Sequence, residues 1–303
     1  MEEEKRLEKE YPLVSIAIIT YNQKDYLREC IESCLAQDYP NFEIVVADDC
    51  STDGTQNMLR EYEAKYPSKF VLRLAEKNQG ITPNSNAAHF ACSGEYIAWI
   101  GGDDLMLPGK LTKQVAYMEQ NPNCTICYHN LDVFDSGTNK TLYYFNEKNK
   151  LNGDVRTAIK CGTFNGACSN LVRSDKAPKH GFDNSLPVAS DWLYWIETLG
   201  NTGTINYIDE VLGRYRRHEN NITRAEKHVT QNELDHLVSC QIIIAKYPQY
   251  FNDVMCVYAK RLMGLRHKAG YVSTLWRSFC LRPSIKATGA LAIYFISFGR
   301  IRQ

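Results

Sequence analysis

Apolar and polar positions along the first 120 residues switch repeatedly between two periods. Leu13 to Ile19 is an uncharged run rich in β-branched residues, the pattern of a strand buried on both faces. It ends at Thr20-Tyr21-Asn22. Leu27, Cys30, Ile31, Cys34 and Leu35 then fall at i, i+3, i+4, i+7 and i+8, which is one face of a helix. Phe42 to Ala47 predicts a second buried strand, cut off by Asp48-Asp49. Ser51, Thr52, Asp53 and Gly54 supply turn and cap residues before a helix through Met58, Leu59 and Tyr62. Phe70 to Leu74 reads as a third strand, Pro83 to Cys92 as a short helix, and Glu95 to Ile100 as a fourth strand. That strand stops at Gly101-Gly102-Asp103-Asp104, and Pro108 opens the next helix.

This alternation predicts βαβ units and an α/β fold with a mainly parallel sheet flanked by helices. Its polar clusters fall at the carboxyl ends of strands, where open α/β sheets bind ligands. Past residue 123 the pattern loosens into short strands, a hairpin near Asp135-Ser136-Gly137 and a helix from Asp191 to Leu199. From Ala225 the chain reads as helical, broken at Pro248, Gly270 and Pro283. The expected division is a nucleotide-binding α/β domain over residues 1–224 and a helical extension over 225–303.

Asp48-Asp49 and Asp103-Asp104 end two different buried strands, so a parallel sheet can bring four carboxylates to one edge. Like charges crowded there repel unless a cation offsets them. A hard divalent ion carrying a phosphate-bearing ligand does so, because Mg²⁺ takes a few carboxylates together with substrate phosphates. The alternative is four solvated turn aspartates. No Gly-x-Gly-x-x-Gly follows the first strand and no Walker-type Gly-Lys-Ser/Thr is present, which weighs against a dehydrogenase or a P-loop enzyme.

Composition narrows the picture further. With 303 residues, 44% apolar and 23% charged, the chain can bury a large core and is neither disordered nor a small disulfide scaffold. Its 35 basic and 35 acidic residues balance, which argues against a nucleic-acid partner. The balance is uneven along the chain, however: after Asp253 there are nine basic residues and no acidic one. Eleven cysteines, several on apolar stripes, fit buried thiols in a reducing cytosol better than disulfides. Cys124 and Cys127 form a lone CxxC, for which core packing is the simpler reading than zinc. The polar, acidic start has no apolar segment behind it and does not read as a secretory signal. The longest apolar stretch, Ala287 to Gly299, is too short to span a bilayer.

Val14 to Asn22, Phe42 to Asp49 with Ser51 to Gly54, Asn78-Gln-Gly80, and Gly94 to Asp104 with Pro108 resemble, in order and spacing, the inverting glycosyltransferases of family 2, which have a GT-A fold. The resemblance covers residues 12 to 224. It implies that Tyr21 stacks on the nucleotide base, usually uracil, and that Asp49 accepts the base N–H. It implies Asp103 as the ribose contact and Asp104 as the metal ligand, with Gly102 standing where the family has a leading Asp. Ser85 replaces an Arg of many members; Arg216 or Arg217 could take over that contact. Val188 to Trp195 matches the segment holding the catalytic base, with Ser190 in place of a Glu and Asp191 retained. Tyr215 to Thr223 resembles the segment whose His, here His218, approaches the metal or diphosphate.

On the residues alone each position has a second reading: Tyr21 as a packed ring, Asp49 and Asp191 as helix caps, His218 as a surface residue. Trp192 and Trp195 can line a sugar site or belong to the core. A carboxylate at a helix start is nonetheless favoured as the anion, ready to take a proton from a hydroxyl. The resulting expectation is an inverting glycosyltransferase dependent on Mn²⁺ or Mg²⁺. It moves a sugar from a UDP-linked donor to a glycan or lipid-linked saccharide in surface polysaccharide or glycoconjugate assembly. A non-catalytic binding module of the same fold is the alternative. The basic, aromatic-rich segment after Asp253 suits peripheral attachment to the cytoplasmic face of the inner membrane.

Overall fold

The computed structural model describes residues 11–200, 202–219, 221, 228–268 and 270–296. The parallel part forms as the pattern predicts. Strands β1 (Val14–Thr20), β2 (Phe42–Asp48), β3 (Phe70–Leu74) and β4 (Tyr96–Gly101) alternate with helices α1 (Lys24–Leu35), α2 (Thr55–Lys65) and α3 (Ile81–His89). β1 pairs in parallel with both β2 and β4, and β2 with β3. Residues on both faces of β1 are buried, so its uncharged run is what the site requires.

The second half departs from the expectation of short strands. After β5 (Leu105–Met106) and α4 (Lys110–Gln120) comes the long strand β6 (Cys124–Asp135), which forms a hairpin with β7 (Thr141–Tyr144). The turn falls where expected, with the Asp135 carboxylate accepting the Thr138 N–H at 2.8 Å. Helix α5 (Val155–Cys161) and β8 (Leu171–Arg173) lead to α6 (Asp191–Leu199) and the longest strand, β9 (Thr204–Arg217). β9 pairs in parallel with β6 and returns to β5, while β8 runs antiparallel to β4 and β6. The result is one nine-stranded mixed sheet in the order β3-β2-β1-β4-β8-β6-β9-β5, with β7 beside β6.

Helices α7 (Gln231–Lys246), α8 (Phe251–Gly264), α9 (Tyr271–Leu281) and α10 (Ile285–Ile296) follow, separated near Pro248, Gly270 and Pro283. The apolar core runs across the expected boundary at 224. Cys240, Ile243, Val254 and Val257 belong to the same buried cluster as Trp99, Trp192 and Ile205. Tyr271, Leu275 and Leu291 make a separate small cluster that joins α9 and α10. Among the described residues no helix is long and apolar enough to cross a membrane. Cys124 and Cys127 are buried thiols of the core.

Candidate active site

A cleft of about 560 Å³ opens at the carboxyl ends of β1, β2 and β4, lined among others by Tyr21, Asp49, Asp103 and His218. Its two ends differ in chemistry. At one end Tyr21 leaves β1 with 46% of its surface exposed, a flat ring facing open space. Asn22, in the left-handed region at φ 51°, fixes the turn behind that ring. Its N–H donates to Ser51 Oγ at 2.7 Å, and its Oδ1 accepts the Thr52 N–H at 2.8 Å. Asp49 is buried, and its two oxygens accept the N–H groups of Gln79 (2.7 Å) and Gly80 (2.8 Å). The carboxylate thus holds the 78–80 loop over the cleft, leaving further lone pairs for a ligand donor.

At the other end Asp103 Oδ2 lies 2.9 Å from His218 Nε2 and accepts from Asn221 Nδ2 at 3.3 Å. The His218 ring lies 4.9 Å from that of Tyr26, and its backbone N–H donates to Asn221 Oδ1 at 2.6 Å. One carboxylate and one imidazole do not complete a metal cage. Among the described residues no group of three or more His, Cys, Asp or Glu side chains could hold an ion. They do fit a divalent ion that fills its shell with phosphate oxygens and water.

Adjacent aspartates part company. Asp48 is fully buried, accepting the Ser51 N–H and the Gln56 amide, both at 2.9 Å. Asp104 is buried outside the cleft lining, with Oδ1 accepting the Arg216 N–H at 2.9 Å. Burial, and next the neighbouring Asp103 carboxylate, hold its pKa well above the usual carboxylate range. Of the four carboxylates expected at this edge, then, the structure brings two, Asp49 and Asp103, into the cleft. Asp48 still belongs to β2, so Asp49 points to the other side; Asp103 and Asp104 are parted instead by the turn that the Asp104 N–H closes on the Gly101 carbonyl at 3.1 Å.

Gly102, where a leading Asp was expected, has no room for a side chain: a Cβ would lie 2.9 Å from Thr20 Oγ1 and 3.2 Å from the Ile19 carbonyl. Ser85 turns back to the Ile81 carbonyl at 2.9 Å. Arg216 does not replace the missing arginine. It is buried, donating to the Asp103 carbonyl (2.7 Å) and to Glu29 (2.5 Å), and it braces the Gly101–Asp104 turn from behind. Arg217 reaches toward Tyr143 Oη at 3.5 Å.

Asp191 opens α6 and is not part of the cleft lining. Its Oδ1 accepts the Trp192 N–H at 2.8 Å. Burial raises its pKa, opposed by that N–H and by the charge of Arg261 on α8. The turn is tied to the donor side through Ser190 Oγ, 2.9 Å from Thr82 Oγ1 near the start of α3. Trp192 and Trp195 are core residues, 1% and 3% exposed, so neither lines a sugar site. Thr20, Asn84 and Asn221 line the cleft without having stood out in the sequence. Each is a single polar residue whose direction only the fold sets.

The sequence model of Glycosyl transferase family 2 matches residues 15–174. The chain belongs to that family. The chain is similar to an uncharacterized Mycobacterium bovis protein, 33% identical over 215 residues, covering 69% of this chain and 60% of the relative. The putative teichuronic acid biosynthesis glycosyltransferase TuaG of Bacillus subtilis is 27% identical over 212 residues, covering 70% of this chain and 82% of the relative. The match with the mycobacterial relatives thus spans about 60% of their length. In three dimensions the chain is similar to S. aureus TarS 1-349 in complex with UDP-GlcNAc. The TM-score is 0.69 at 17% identity, over 95% of this chain and 88% of that one. The mannosyltransferase PcManGT of Pyrobaculum calidifontis, in complex with GDP-Man and Mn²⁺, gives 0.59 at 16% identity, over 95% and 80%. These likenesses establish the GT-A fold of this family 2 chain.

Proposed function

We propose that the chain is an inverting glycosyltransferase dependent on a divalent metal, taking its sugar from a UDP-linked donor. The observation that carries this is the polarity of the cleft: an exposed ring and a carboxylate at one end, Asp103 with His218 at the other. A nucleoside diphosphate has that same polarity, with a flat base at one end and an anionic diphosphate at the other. Tyr21 stacks on the base and Asp49 accepts its N–H. Asp103 and His218 would hold a divalent cation, which would supply positive charge to offset that on the departing diphosphate. In the sequence reading Asp103 served the ribose and Asp104 the metal; the burial of Asp104 favours Asp103 as the ligand, with Asp104 setting the turn through the Arg216 N–H. TarS bound to UDP-GlcNAc and PcManGT bound to GDP-Man and Mn²⁺ support a nucleotide sugar and a metal for this fold.

On the acceptor side, Asp191 takes the proton of a hydroxyl whose oxygen attacks the anomeric carbon. The new carbon–oxygen bond forms as the bond to the diphosphate breaks on the opposite face, giving inversion in one displacement. Burial raises the pKa of this carboxyl, so its anion is a stronger base than a free aspartate. The acceptor we infer is a glycan or lipid-linked saccharide of surface polysaccharide or glycoconjugate assembly, a setting supported by the likeness to TuaG. Membrane contact would come from the α9–α10 hairpin at the cytoplasmic face. There Trp276, Leu281 and Ile285 (94% exposed) alternate with exposed Arg277, Arg282 and Lys286.

A donor screen tests the proposal. UDP-glucose, UDP-galactose, their N-acetyl forms and GDP-mannose are supplied with Mn²⁺, and released nucleotide is measured. A UDP-sugar is expected to turn over and chelator to stop it. Nucleotide binding with no turnover on a broad acceptor panel would make the chain a binding module instead.

A further inference from the structure

The segment from Leu186 to Ser190 precedes Asp191 without belonging to any helix or strand, so no backbone ladder sets its shape. Side chains hold it instead. From α3, Thr82 Oγ1 donates to the Leu186 carbonyl at 2.5 Å and lies 2.9 Å from Ser190 Oγ. From α7, Asp235 Oδ2 accepts the N–H of Val188 at 2.7 Å and of Ala189 at 2.8 Å. Asp235 is 1% exposed, and its other oxygen accepts Gln231 Nε2 at 2.7 Å. Taking a carboxylate this deep out of water is costly, and its hydrogen bonds are what offset it. An apolar residue would pack against the segment but could not accept two adjacent N–H groups. Helix α7 is itself fixed on the base turn: the His236 ring lies 5.9 Å from that of Trp192.

We propose that Asp235 is a positioning residue for the acceptor-side carboxylate, fixing the Val188–Ala189 backbone and through it the direction of Asp191. The inference rests on the reading of Asp191 as base. It places a working part of the enzyme on α7, outside the residues 15–174 matched by the family. Thr82 completes the frame. It lies two residues from Gly80, whose N–H is held by Asp49, so the donor-side loop and the base turn share one short stretch of α3.

The test compares Asp235→Ala, Asp235→Asn and each combined with Asp191→Asn. Turnover is followed as UDP released from the best UDP-sugar, affinity as UDP binding by calorimetry, and backbone protection by hydrogen exchange. A displacement near 1 Å at a reacting group can cost about 10²-fold, so Asp235→Ala should lower kcat about 10- to 100-fold with UDP affinity unchanged. Asp235→Asn, which keeps an oxygen acceptor, should restore most of that rate. In the Asp191→Asn background Asp235→Ala should add no further loss. Exchange should quicken at Val188 and Ala189 in Asp235→Ala, a readout that needs no turnover. An equal loss in both backgrounds, weakened UDP binding, or unchanged exchange at these amides would overturn the positioning role. Full activity of the Asp191→Asn single variant would instead remove the base assignment itself.

Discussion

Asp103 and Asp104 are neighbours of one chemical type, and the opposite duties we propose for them can be separated by isosteric substitutions. Asp103→Asn removes the carboxylate facing His218 at the cleft end. Losing a partner one shell out from a metal already costs 10- to 100-fold in affinity, so loss of the ligand should weaken Mn²⁺ binding by at least about 10²-fold. Asp104→Asn keeps an oxygen to accept the Arg216 N–H in a buried site where the carboxylate anion is already disfavoured by burial and by Asp103. Its stability should change by less than about 1 kcal/mol, and Mn²⁺ affinity by no more than a few-fold. Asp104→Ala orphans that buried N–H, worth about 1–3 kcal/mol, or roughly 2–5 °C in melting temperature for a chain of this size. Mn²⁺ titration by electron paramagnetic resonance in the presence of UDP, beside melting curves, reads both quantities. If Asp104→Asn abolishes Mn²⁺ binding while Asp103→Asn retains it, the reasoning from burial is wrong.

Asp191→Asn should lower kcat by about 10²-fold or more with UDP affinity unchanged, checked by rapid-quench turnover and calorimetry. Its folded pKa is raised, so the stability linked to its protonated form is lost as pH rises through that value. Asp191→Asn should therefore melt no lower than wild type at neutral pH. Ionisation being required for the base, the acid limb of kcat should lie above the ordinary carboxylate range and vanish from any residual Asp191→Asn rate. Tyr21→Ala should weaken UDP binding by about 1–3 kcal/mol in calorimetry, the scale of base–aromatic stacking, while an unchanged affinity would remove the ring from the base site. Wild type should sediment with anionic vesicles and less so at high salt. Ile285→Ser, at a side chain 94% exposed, should reduce sedimentation without lowering the melting temperature.

The legible part of this fold is the part in which local pattern and final environment coincide. β1, β2 and β4 are buried on both faces, so their largely apolar runs declare them, and their ends mark the cleft. β9 hides its nature: over 14 residues it carries Asp209, Glu210 and five arginine or tyrosine positions, and few of its residues are fully buried. Its parallel pairing with β6 joins segments about 80 residues apart, which no short-range periodicity records. In the site, the positions of the aspartate pairs could be read along the chain, whereas the side each carboxylate faces could not. That direction depends on how each strand end meets the loop beyond it. Asp235 illustrates the limit: in sequence it is one acid on a helix, and its two backbone partners lie more than 45 residues away.

The basic segment after Asp253 shows why composition cannot stand in for placement. Its cations count alike in the sequence, yet the fold sorts them by depth. Arg261 lies 4.9 Å over the Trp192 ring with its Nε buried, and Lys268 pairs with Glu233 at 2.8 Å. Both belong to the packing of α7 and α8 on the catalytic part. Arg277, Arg282 and Lys286 stand on the outer hairpin beside exposed Trp276, Leu281 and Ile285. Removing everything after Asp253 would therefore strip Val254 and Val257 from the main core together with any surface function. A membrane role has to be separated from a structural one at the hairpin, and there at Ile285, which is 94% exposed, rather than at Trp276, whose ring stacks on Phe279.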